Sequence, residues 1–168
     1  AMAILCYIIA RKVDDHFARA RKAVPDHARR SWNWRMINRR TLTPVVLRFI
    51  ACAAILFAFT YTQHRDMLFG FVNERPMVWA MVMMLYPVVS VVPQEIIFRR
   101  YVFVRFGQWL QPPVVLILVS GLGFGFAHVI FDNWLAPTLC AIGGLMFAYT
   151  YHKTRSLALV CLEHALYG

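Results

Sequence analysis

The chain has 168 residues, is 60% hydrophobic, and carries 18 Lys+Arg against 8 Asp+Glu for a formal net charge of +10. Ten of the basic residues crowd between positions 11 and 40, and the rest are thinly spread among long apolar runs. A nucleic-acid binder would spread its basic residues over a soluble domain, so the pattern argues against one. It describes instead an all-α, polytopic transmembrane helix bundle with one basic loop.

In chain order, residues 1–10 are expected to be the end of one spanning helix. The basic connection at 11–43 follows, its first half an amphipathic helix broken near Pro25. Trp32 and Trp34 suit headgroup depth, beside arginines that favour anionic lipid. An ordinary solvated cytoplasmic loop is compatible with the same residues. A second span covers 44–62, with Arg48 near its cytoplasmic end and able to snorkel. The third starts near Met77, holds Pro87 and Pro93, either of which could kink it, and runs to about Leu110. Spans at 113–131 and 134–151 follow, turning at Asp132 and Asn133, and residues 157–168 begin a sixth. Each complete run approaches the roughly 20 residues that cross a bilayer.

The expectation is one membrane-embedded domain over residues 1–168, a fragment cut at both ends. Alternating the basic segments 11–40, 99–105 and 153–155 to the cytoplasmic side satisfies every span. Cys6, Cys52, Cys140 and Cys161 lie in apolar segments without a CxxC pair, as reduced packing residues do.

Within the apolar segments stand Glu95, Arg99, His128, Glu163 and His164. Ionisable groups are costly in lipid, and function or a buried partner is the usual reason for keeping them. Glu95 and Arg99 share a helix face at i, i+4, and a structural ion pair explains those two as well as a site does. Gln94 lies about 100° around the helix from Glu95, so both can border one cavity. Gly121, Gly125 and His128 fall at i, i+4, i+7, a small-residue face that lets another helix approach. A carboxylate and a histidine can take a proton from water to make a nucleophile. A second histidine, an amide or Arg99 can steady the oxyanion formed at a peptide carbonyl. Two His and a Glu could also bind Zn²⁺, but no HExxH spacing stands behind that, and no metal or cofactor is expected.

The segments "QEIIFRR", "FGFAH" and "EHALYG" resemble, in order and spacing, the three motifs of the CAAX-protease and bacteriocin-processing (CPBP) family of intramembrane glutamate proteases: EExxxR, FxxxH and HxxxN or a near variant. The resemblance covers roughly residues 77–168. It implies an all-helical membrane fold and peptide-bond hydrolysis by a glutamate-activated water, with histidines assisting. By the same resemblance Arg99 is the motif arginine, Phe124 and His128 form the second motif, His164 is the third-motif histidine and Glu95 is the second glutamate. Two positions depart: Gln94 replaces the first glutamate, usually assigned as the base, and Gly168 replaces the asparagine. An amide cannot act as that base. Either Glu95 serves, or Glu163 supplies the carboxylate, or the chain is a non-catalytic membrane scaffold. The catalytic set is therefore expected to be Glu95, His128, His164 and Glu163, supported by Gln94, Arg99 and Phe124. The expected partners are the bilayer and a membrane-associated peptide or protein substrate, and the expected location is a bacterial inner membrane.

Overall fold

The computed structural model describes residues 32–65 and 68–168. The expectations for residues 1–10 and for the helix broken near Pro25 lie outside those residues. Among the described residues the fold is helical, without strands, and its one isolated β-bridge joins Trp32 to Ser156.

After a short 3-10 turn at Trp34–Met36, helix α1 spans Arg39–Gln63. Asn38 caps it: its side chain accepts from the Arg40 N–H at 3.0 Å, while Thr41 Oγ1 accepts from the Asn38 N–H at 3.3 Å. This reciprocal box starts the helix five residues before the expected 44. A short helix α2, Gly70–Glu74, leads into α3, which runs unbroken over Pro76–Phe106. Helix α4 covers Pro113–Phe126, with a 3-10 turn at Val129–Phe131. Helix α5 is Leu135–Thr154 and α6 is Leu157–Tyr167.

Among the described residues, three stretches are long and apolar enough to cross a membrane: Arg39–Gln63, Pro76–Phe106 and Pro113–Phe131. Their outward faces carry large apolar side chains such as Leu47, Ile55, Met84, Leu118 and Leu122, which suit lipid contact. The expected fifth span, α5, has the length but is not among these three. It carries glycine, threonine, tyrosine and histidine, and buries Gly144, Phe147, Ala148, Thr150 and Tyr151 against other helices. It therefore faces protein more than lipid. The expected sixth, α6, is an 11-residue apolar helix.

The core gathers where α3, α4, α5 and α6 meet, around Phe103, Leu116, Phe124, Phe147, Tyr151, Leu157 and Val160. Helices α4 and α5 approach at backbone distance. A Cβ on Gly121 would lie 2.7 Å from the Leu145 nitrogen, and one on Gly125 would lie 2.7 Å from the Ala141 Cα. Larger residues there would force the helices apart.

Helix α3 is not a regular α-helix. Wider π turns at Pro87–Val91 and Ile96–Tyr101 flank one α turn, Val92–Glu95. Prolines 87 and 93 have no N–H to offer the preceding turn, and π turns are one way a continuous helix absorbs that loss. The α turn so framed carries Gln94 and Glu95.

Candidate active site

Glu95 and Arg99 are both fully buried. Glu95 Oε2 lies 3.0 Å from Arg99 Nε, as the i, i+4 spacing foretells, though the contact is one of opposite charges rather than an aligned hydrogen bond. Arg99 Nη1 donates to Ser120 Oγ at 3.2 Å, and Ser120 Oγ donates to the Phe98 carbonyl at 2.6 Å. The guanidinium also stands 5.0 Å from the centre of the Phe124 ring and 5.6 Å from that of Phe147. Salt bridge, hydroxyl and two aromatic faces together hold the cation in place.

The second oxygen of Glu95 reaches across the fold. Its Oε1 is 2.8 Å from Nδ1 of His164, 69 residues later in the chain. A carboxylate accepts, so Nδ1 carries the proton and Nε2 is left as the ring's other polar atom. The His164 ring is sandwiched by aromatics: parallel to Phe147 at 4.8 Å, edge-on to Phe124 at 5.2 Å and to Tyr86 at 6.1 Å. Such packing fixes its plane.

His128 sits where α4 ends. Its Nδ1 is 2.8 Å from the Phe124 carbonyl, which can only accept, so the neutral ring again has Nε2 as a bare acceptor. The ring packs on Phe124 at 4.7 Å and on Phe131 at 5.8 Å. Both histidines thus border Phe124, one on each motif that the sequence pairs.

Gln94 donates from Nε2 to Ser90 Oγ at 2.9 Å, one turn earlier on α3, and its Oε1 is buried without a partner. Glu163 takes a different direction from its neighbour His164. It is fully buried, with Oε1 2.8 Å from Arg48 Nη2. The same Arg48 nitrogen donates to Thr150 Oγ1 at 2.9 Å. Arg48 therefore turns inward to a carboxylate instead of only snorkelling outward.

The structure joins Glu95, Arg99, Phe124 and His164 through direct contacts, with His128 packed on Phe124, while Glu163 belongs to a second cluster with Arg48 and Thr150. Sequence reasoning did not single out Ser120, Phe147, Thr150, Ser90 or Tyr86. Of these, Ser90 and Tyr86 had a visible signal, standing four and eight residues before Gln94 along the same helix. Among the described residues, no three His, Cys, Asp or Glu side chains converge as metal ligands.

Residues 75–168, more than half of the chain, match a family model described as type II CAAX prenyl endopeptidase, Rce1-like. No curated protein and no solved structure matches the chain.

Proposed function

From the premise that the chain belongs to the Rce1-like family of type II CAAX prenyl endopeptidases, we propose that it is an intramembrane endopeptidase in which Glu95 and His164 activate water. The observation that carries this is the 2.8 Å contact between Glu95 Oε1 and His164 Nδ1. A carboxylate held there fixes the tautomer and steadies the imidazolium that forms when Nε2 takes a proton. Water adds to the scissile carbonyl carbon, its proton passes to His164 Nε2, and the carbonyl electron pair moves onto oxygen. The tetrahedral adduct then collapses: the C–N bond breaks and the same proton passes to the leaving amine. His128, with Nε2 as acceptor, orients the second hydrogen of the water. Arg99 holds Glu95, and Phe124 packs against both imidazoles and fixes their planes.

Both glutamates face an arginine, Glu95 on Arg99 and Glu163 on Arg48, and Glu95 is favoured because its other oxygen meets His164 Nδ1. Gln94 does not carry the base; its amide is tied to Ser90. The proposed substrate is a membrane-associated peptide, with a prenylated C-terminal CAAX sequence as the first to try. The proposed location is a bacterial inner membrane, with the basic segments on the cytoplasmic side.

The test uses the full chain in proteoliposomes and a fluorogenic farnesylated CAAX peptide, with an unprenylated membrane peptide beside it. Glu95→Gln and His164→Ala should each lower kcat by about 10²–10⁴-fold while the protein stays folded. Wild-type turnover retained in Glu95→Gln would overturn the proposal.

A further inference from the structure

The proposed chemistry leaves one part unassigned: a donor for the oxyanion. Arg99 Nε faces Glu95 and its Nη1 is committed to Ser120, while Nη2, buried without a hydrogen-bond partner beside the Phe124 and Phe147 rings, is the charged alternative to a neutral donor; the Gln94 amide is committed to Ser90. His128, with its proton on Nδ1, offers only an acceptor at Nε2. The third-motif position that resembles an asparagine site is Gly168, which has no side chain.

That side-chain position is filled from another helix. A Cβ built on Gly168 would overlap the hydroxyl and ring of Tyr86 on α3. Gly168 stands four residues after His164, and its N–H donates to the His164 carbonyl at 3.1 Å, so the two residues share one face of the same turn. The Tyr86 ring meets that of His164 edge-on at 6.1 Å. Tyr86 also stands one helical turn before Ser90 and two before Gln94, so the three follow one another along α3 at i, i+4, i+8.

We propose that the Tyr86 hydroxyl occupies the functional place left empty at Gly168 and donates the hydrogen bond that stabilises the oxyanion beside His164. A phenol and a side-chain amide are both neutral donors, and a neutral donor is what a group needs to face developing negative charge without itself changing ionisation. The glycine and the tyrosine are then one coupled feature: an asparagine at 168 and a tyrosine at 86 compete for the same volume. The assignment rests on the Glu95–His164 proposal.

Tyr86→Phe removes the donor and keeps the ring. In the proteoliposome assay it should lower kcat by about 10²–10³-fold with KM little changed. Tyr86→Leu should lose as much, and Tyr86→Leu combined with Gly168→Asn should regain part of the loss, because the smaller side chain makes room for an amide at 168. Gly168→Asn alone should lower both activity and Tm through the clash. Tyr167→Phe serves as the control, a tyrosine on the same helix as His164 whose ring packs on Phe49 and Phe147 and is kept by the change; it should leave kcat unchanged. Wild-type kcat in Tyr86→Phe, with Glu95→Gln inactive, would overturn the Tyr86 assignment and leave the Glu95–His164 pair standing. A double variant no more active than Tyr86→Leu would overturn the exchange with residue 168. A wild-type protein that cleaves neither peptide would defeat the proposed function, and this assignment with it.

Discussion

At the scale of single residues, Gln94 and Glu95 divide what the family pattern gives to two adjacent glutamates. Glu95 has a partner for each oxygen, whereas Gln94 has a buried oxygen with none. Returning a carboxylate with Gln94→Glu would put a second negative charge beside Glu95, in a place where only a hydroxyl waits to satisfy it. Two close carboxylates do not both ionise cheaply. If Glu95 and His164 suffice, kcat/KM in Gln94→Glu should stay within about tenfold of wild type, and Tm should fall as the charge is buried. A rise from no turnover to robust turnover would instead support the scaffold reading. The Glu95–Arg99 pair was legible in the sequence because i, i+4 spacing is local. The Glu95–His164 contact was accessible only through motif resemblance, since no spacing rule links residues so far apart. The direction that Glu163 takes was not legible for the same reason. It adjoins His164 in the chain, yet successive residues diverge by about 100° around a helix, and its partner stands on α1.

At the scale of elements, the prolines of α3 were visible, but their consequence was not. The structure keeps the helix continuous and places π turns on either side of Val92–Glu95, the first of them in the turn that Pro93 leaves without a donor. The extra residue in each π turn shifts the phase of every side chain beyond it, which is how Glu95 comes to face α6. Pro93→Ala restores a backbone donor and removes the reason for the wider turn. It should raise thermal stability, by up to about 3 kcal/mol if a regular hydrogen bond forms. It should also lower kcat about 10- to 100-fold as Glu95 rotates from His164. Thermal unfolding in detergent and steady-state kinetics on the same preparation read the two effects, and a variant with both wild-type stability and wild-type rate would show that Pro93 does not set the register. The spans themselves were legible because apolar runs of sufficient length record them directly. The weaker membrane character of α5 was not, since its polar residues turn to protein contacts that only the packing reveals.

At the scale of the whole molecule, α1 lies outside the family match yet is bolted to it. The match begins at residue 75, whereas Arg48 belongs to Arg39–Gln63 and reaches Glu163 and Thr150. The next residue, Phe49, meets Tyr167 edge-on at 5.6 Å. At the other end Ser156 Oγ donates to the Asn33 carbonyl at 2.9 Å while accepting from the Leu159 N–H, so the segment before α1 is tied to the cap of α6. These contacts fix both ends of the helix that carries His164. Arg48→Gln would strip the positive charge from a fully buried carboxylate whose second oxygen already has no hydrogen-bond partner. Breaking a fully buried pair costs about 3–5 kcal/mol; here about 1–3 kcal/mol is expected, because the Arg48 side chain is 31% exposed. Glu163→Gln should cost less, and the double variant should be more stable than the sum of the single changes, since neither charge is then left alone. The same cycle separates two roles for Glu163. As a structural partner, its loss and the loss of Arg48 should reduce activity in proportion to stability, and the double variant should recover both. If Glu163→Gln instead abolished turnover at unchanged Tm, with no recovery in the double variant, Glu163 would be acting on the substrate rather than on α1.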